Sequence, residues 1–175
     1  NYYANISYQY TQQHTSADNK VFLRQLPRTR IIQVEQTQIL LCHGSPRKLN
    51  EFLWESTSPD HFLEPFFSQH TVDVIAVTHT GIKWQRQLPS GLFVNVGVLG
   101  RPENDGTTNV WYTILEVSGS KTAVEFVPIE YDYQQLAQDM QNEQLPPEFI
   151  DTINTGWWTT CLEVLPQKER TIGKH

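Results

Sequence analysis

A mixed α/β fold is predicted by three features of this sequence. Ile39-Leu40-Leu41-Cys42 is apolar without interruption and ends in His43-Gly44-Ser45-Pro46, as expected of a strand buried on both faces and closed by a turn. Val74-Ile75-Ala76-Val77 leads in the same way into Thr78-His79-Thr80-Gly81. Closely spaced shorter strands follow, with turn residues between them and helical segments on either side.

Taken in order, the first fifteen residues are polar and aromatic with little periodicity, and read as a loop or irregular helix. Ser16-Ala17-Asp18-Asn19 can cap a short helix through Val21, Phe22 and Leu23, stopped by Pro27. Residues 30–34 and 38–42 read as strands joined by the turn Glu35-Gln36-Thr37. Leu49-Asn50-Glu51-Phe52-Leu53-Trp54 is expected to start a helix after Pro46, and Phe62, Leu63, Phe66 and Phe67 give helical spacing around Pro65. Residues 72–77 form the second buried strand. Residues 83–88, 91–96, 109–117 and 122–131 then read as an antiparallel meander, with turns at Pro89-Ser90-Gly91, Asn104-Asp105-Gly106 and Gly119-Ser120. Residues 133–145 are expected to be helical up to Pro146-Pro147, and residues 148–155 up to Gly156.

The chain has 175 residues, enough for one domain with a core of its own, and the expectation is a single domain over residues 1–175. A net charge of −6 argues against a nucleic-acid footprint, and the basic residues between Lys168 and Lys174 are interrupted by Glu169. No run reaches the roughly 18 apolar residues of a membrane span. Cys42 and Cys161 do not make a disulfide scaffold, so a reducing cytoplasm is the expected compartment. The chain opens on Asn1 and its methionine is Met140, which suggests part of a longer protein.

The ends of buried strands are where open α/β sheets place their chemistry, and neutral imidazole is the commonest metal ligand. His43 and His79 are therefore the leading site candidates, whereas His14, His61, His70 and His175 read as surface histidines. Ser45 lacks a nucleophile elbow and reads as a turn or capping serine. Arg47 and Arg101 are candidates for bidentate phosphate contacts, each with a solvated role as the alternative. Asn95 and Gly97 are expected to shape a tight loop, and Trp157-Trp158 to pack the tail onto the body or onto a missing half. No carboxylate pair with acid/base logic stands out, so catalytic residues stay unassigned.

Three segments, in order, carry a resemblance. Leu40-Leu41-Cys42-His43-Gly44-Ser45-Pro46, Val77-Thr78-His79-Thr80-Gly81-Ile82 and Phe93-Val94-Asn95-Val96-Gly97-Val98-Leu99-Gly100-Arg101-Pro102 resemble the metal-site motifs of the calcineurin-like metallophosphoesterases. The resemblance runs from about Leu26 to about Met140 and implies part of a two-sheet sandwich with a two-metal site at its strand ends. It implies manganese, iron or zinc as cofactor, a phosphorylated small molecule or phosphodiester as substrate, and a metal-activated hydroxide attacking phosphorus. His43 and His79 both match ligands of the second metal. The family's Gly-His-Thr-His stands here as Thr78-His79-Thr80-Gly81, so its last ligand is replaced by a glycine. Its opening motifs (Asp-x-His, Gly-Asp and Gly-Asn-His-Asp) are absent. Two explanations follow: the chain is the C-terminal portion of a phosphoesterase whose other half lies elsewhere, or it has lost the site and kept the scaffold for binding or regulation. Half a sandwich would expose apolar surface, so a covering partner segment or self-association is expected.

Overall fold

The computed structural model describes residues 2–171; His175 and the last basic residues of the tail lie outside them. The centre of the molecule is a five-stranded mixed sheet in the order β1-β2-β3-β5-β4, made of β1 (Thr29–Val34), β2 (Thr37–His43), β3 (Val74–Thr78), β4 (Trp84–Leu88) and β5 (Gly91–Asn95). Strands β2, β3 and β5 run parallel, and β1 and β4 flank them antiparallel. Ile39, Leu40, Val74, Ile75, Ala76, Val77, Leu92, Phe93 and Val94 of the three parallel strands are buried, as expected where both faces are covered.

Alternation along these strands assigns the two faces. Leu40, Ile75, Val77 and Phe93 point to one side, where they pack with Leu63, Phe66 and Phe67 of a helix, α3 (Asp60–His70). Ile39, Val74, Ala76, Leu92 and Val94 point to the other, where Leu115, Val117, Val124 and Phe126 cover them. Those four residues belong to a separate two-stranded sheet, β6 (Val110–Ser118) paired with β7 (Lys121–Ile129). The architecture is thus a two-sheet α/β sandwich with flanking helices, the fold class expected.

Three expectations are corrected in detail. The four later strands do not form one meander: β4–β5 completes the edge of the large sheet and β6–β7 makes its own. The break falls after β5, whose free side is taken by β3. Residues 49–54 are not helical. Their polar groups are held from outside: Leu53 O accepts from Trp84 Nε1 at 3.0 Å, and Glu51 accepts from Ser45 Oγ at 2.5 Å and from Arg47. The N-terminal segment, in turn, is a regular helix, α1 (Tyr2–His14), with His14 stacked on Tyr10 one turn away at 4.1 Å. Tyr3 anchors it, donating to Glu148 at 2.8 Å and lying 5.9 Å from the Phe149 ring.

The remaining helices follow the sequence signals. α2 (Ala17–Gln25) is capped by Ser16, whose hydroxyl accepts from Asn19 N at 3.2 Å. α4 (Tyr133–Asn142) is capped by Asp132, and α5 (Pro147–Thr155) opens on its proline and ends at Gly156. A short helix, α6 (Gln167–Thr171), closes the described chain; its buried Glu169 accepts from Ser56 N and Oγ, tying the tail to the body. Among the described residues no helix is long and apolar enough to cross a membrane.

Candidate functional site at the parallel strand ends

The site follows from strand register. β2 and β3 are parallel with His43 opposite Thr78, so His43 and His79 leave the sheet side by side at its carboxyl edge. His43 Nε2 lies 2.8 Å from His79 Nδ1, with ring centroids 4.7 Å apart. The two candidates singled out by sequence are brought together.

His79 is held under constraint. Its φ is +95°, a backbone region that costs a non-glycine residue roughly 1–3 kcal/mol. One side of its ring faces His43, and the Phe52 ring lies 4.6 Å away. Its second ring nitrogen, Nε2, is buried and has no hydrogen-bond partner among the described residues. Burial, then the nearby His43, lowers the His79 pKa, so the imidazole is held in its neutral, ligand-competent form.

The loops around the histidines are locked by β5. Asn95 is completely buried; its Nδ2 donates to Thr80 Oγ1 at 2.7 Å and its Oδ1 accepts from Gly97 N at 3.2 Å. Thr78 Oγ1 donates to Gly97 O at 2.7 Å. The loop-shaping role expected of Asn95 and Gly97 is therefore seen, and it reaches the residues on either side of His79. A polar residue closing the apolar run Leu92-Phe93-Val94 was the signal for this lock. Phe52, by contrast, was placed in an expected helix, and nothing in the sequence marked its contact with His79.

Gly81 stands where the resembled family carries a further histidine. Its φ is +80°, and a Cβ there would lie 3.3 Å from the Trp158 ring and 3.5 Å from Arg101 Nη2. The place of that side chain is filled by an indole and a guanidinium. Trp158 is buried, with Nε1 donating to Pro102 O at 2.7 Å, which bears out its packing role. Ser45 is a buried turn residue, accepting from Lys48 N at 3.0 Å. Arg47 is paired with Glu51 and lies over the Phe62 ring, so its guanidinium is not directed at the histidines. His14 and His61 are exposed, and His70 is half-buried at the end of α3.

A cavity of about 590 Å³ opens beside His43, lined by Leu23 and Leu26 from the α2 end, Leu41 and Cys42 from β2, and Val77 and Thr78 from β3. As donors for a metal, the two imidazoles suit zinc, manganese or iron chemistry. Neighbouring nitrogens bound to one metal at roughly 2.0–2.1 Å sit about 3 Å apart. Two ligands are nonetheless fewer than the three or more protein ligands of a catalytic metal. Among the described residues no group of three or more His, Cys, Asp or Glu side chains is placed to hold one.

No family model matches the sequence, and no curated protein matches it. Solved structures do. The hypothetical protein PH1004 from Pyrococcus horikoshii OT3 superposes with a TM-score of 0.70 at 20% identity, over 86% of this chain and 59% of that one. A metallophosphoesterase from Sphaerobacter thermophilus superposes with a TM-score of 0.65 at 21% identity, over 85% of this chain and 66% of that one. The chain has the metallophosphoesterase fold. It spans about three fifths to two thirds of the length of these two structures. In a metallophosphoesterase fold the paired histidines lie where open α/β sheets carry their sites, at the carboxyl ends of parallel strands.

Proposed function

We propose that this chain forms part of a metal-dependent phosphoesterase, in which His43 and His79 hold one side of a metal centre. The observation that carries the reading is the pair of strand-end imidazoles 2.8 Å apart, one of them neutral and strained. With a proton between them the nitrogens share a hydrogen bond; without it, both lone pairs face one point. The substrate class is a phosphate ester, and the remaining ligands come from residues outside this chain, from a further segment of the protein or from a second polypeptide. This chain's own part is to fix two imidazole donors on rigid strand ends and to lock their loops through Asn95 and Thr80.

A second reading has its own observation in favour. Trp158 and Arg101 fill the space beside Gly81, which suits a scaffold that has given up part of the site and serves in binding or regulation. Metal titration followed by hydrolysis of bis(p-nitrophenyl) phosphate separates the two. With the complementary polypeptide present, the enzyme reading expects one tightly held Mn²⁺ or Zn²⁺ per chain, lost in His43→Ala and in His79→Ala, and hydrolysis lost with it. Protein that retains no metal and cleaves no ester, alone or with its complementary polypeptide, leaves the scaffold reading standing.

A further inference from the structure

The guanidinium beside Gly81 has no carboxylate partner among the described residues. Arg101 stacks on the Trp158 ring, with Cζ 3.5 Å from the centroid. Among the described residues it forms no salt bridge and no hydrogen bond, although guanidinium carries five N–H donors. Arg47, Lys83 and Arg86, by contrast, are each paired with a carboxylate. Arg101 is half-buried, so its N–H donors remain open to solvent or to an acceptor that enters beside it.

Arg101 also lines a cavity of about 300 Å³, bounded by α1, α4, α5 and the Thr160-Cys161 turn. This is close to the lower end of the roughly 300–1,000 Å³ of small-ligand pockets. It is distinct from the cavity beside His43, with which it shares no lining residue. Its walls divide by chemistry. Met140, Phe149 and Ile153 are apolar, whereas Arg101 and Thr160 are polar. Thr160 is buried, and its hydroxyl makes no hydrogen bond among the described residues. Burial pushes the Arg101 guanidinium down to about 10, opposed by the nearby Cys161.

We propose that this cavity binds a small organic anion, with its carboxylate or phosphate on Arg101 and Thr160 and its apolar body against Met140, Phe149 and Ile153. A planar anionic group suits the guanidinium, which offers parallel N–H donors in a fixed fork. The stacking on Trp158 holds that fork in place before the ligand arrives, so less ordering is lost on binding.

Thermal unfolding with benzoate, phenyl phosphate and neutral benzyl alcohol as probes tests the proposal. At ten times its dissociation constant, one of the two anions should raise Tm by about 3 to 6 °C, and benzyl alcohol should not. Arg101→Met, which keeps the stem against Trp158 and removes the charge, should abolish the shift. Should Arg101→Met not fold, Arg101→Lys keeps the charge without the fork and should weaken the anion about tenfold. His43→Ala should leave the shift intact, which separates this pocket from the metal-site reading. No shift with either anion overturns the proposal, as does an equal shift with benzyl alcohol or a shift that survives both Arg101 substitutions. Loss of the shift in His43→Ala would move the anion to the histidines and also overturn it.

Discussion

His79 combines three conditions in one residue: a left-handed backbone, a buried nitrogen without a hydrogen-bond partner among the described residues, and a ring pressed between His43 and Phe52. Strain of this kind persists where surrounding structure over-determines it, and here Asn95 does so through Thr80. Gly81, two residues on, is glycine for a backbone reason as well as a spatial one. Gly81→His, which restores the family's residue type, is expected to destabilise the protein by about 1–3 kcal/mol in urea unfolding. It should not raise metal affinity, because the new side chain starts against Trp158. Cys42 offers a second test at this scale. It is half-buried on β2, and burial pushes its thiol up to about 12 from an ordinary 9.0. The thiolate is the reactive form, so at pH 8 its population falls roughly a thousandfold. Iodoacetamide labelling followed by peptide mass mapping should show Cys42 nearly inert in native protein and reactive after denaturation; fast native labelling would contradict the burial.

At the scale of elements, the sequence was most legible where a local signal and burial agreed. The apolar runs of β2 and β3, the Ser16 cap and the Gly156 stop all stood where the residues put them. Ser16→Ala should cost about 1 kcal/mol and lower the helicity of α2, read by circular dichroism or by amide exchange at residues 17–25. An unchanged helix would mean that α2 is held by contacts rather than by its cap. The element signals failed where tertiary contacts outweighed local ones. Residues 49–54 have helical spacing, but Leu53 O and the Glu51 carboxylate are engaged by β4 and by the turn after β2. The four later strands look alike in sequence, and only the parallel seat of β5 against β3 divides them between two sheets.

Viewed as a whole, the molecule is unevenly covered. α3 and the β6–β7 hairpin close the two faces of the large sheet, yet no residue of α1 or α2 is buried. Phe22 is 60% exposed, Leu23 54% and Leu26 51%, beside the cavity that reaches His43. Ile31 of edge strand β1 adds 47%. Adjoining exposed apolar side chains next to an open edge favour association. Sedimentation velocity on the isolated chain should therefore show self-association, reduced in a Phe22→Ser/Leu26→Ser variant. A clean monomer at about 100 µM would speak against a covering partner on this face.

What the sequence determined by itself was everything that depends on short range. It marked the buried strands, the helix ends, the two histidines that follow those strands, and the missing ligand at Gly81. These are legible because apolar periodicity and turn chemistry are written within a few residues. Only the tertiary structure decided that His43 and His79 face each other at 2.8 Å, since 36 residues of chain separate them and the register of β2 on β3 joins them. It alone decided that Trp158 and Arg101 fill the space beside Gly81, and that Arg101 has no carboxylate partner among the described residues. Contacts made across such distances in sequence are fixed by the closing of the core, and no local pattern records them.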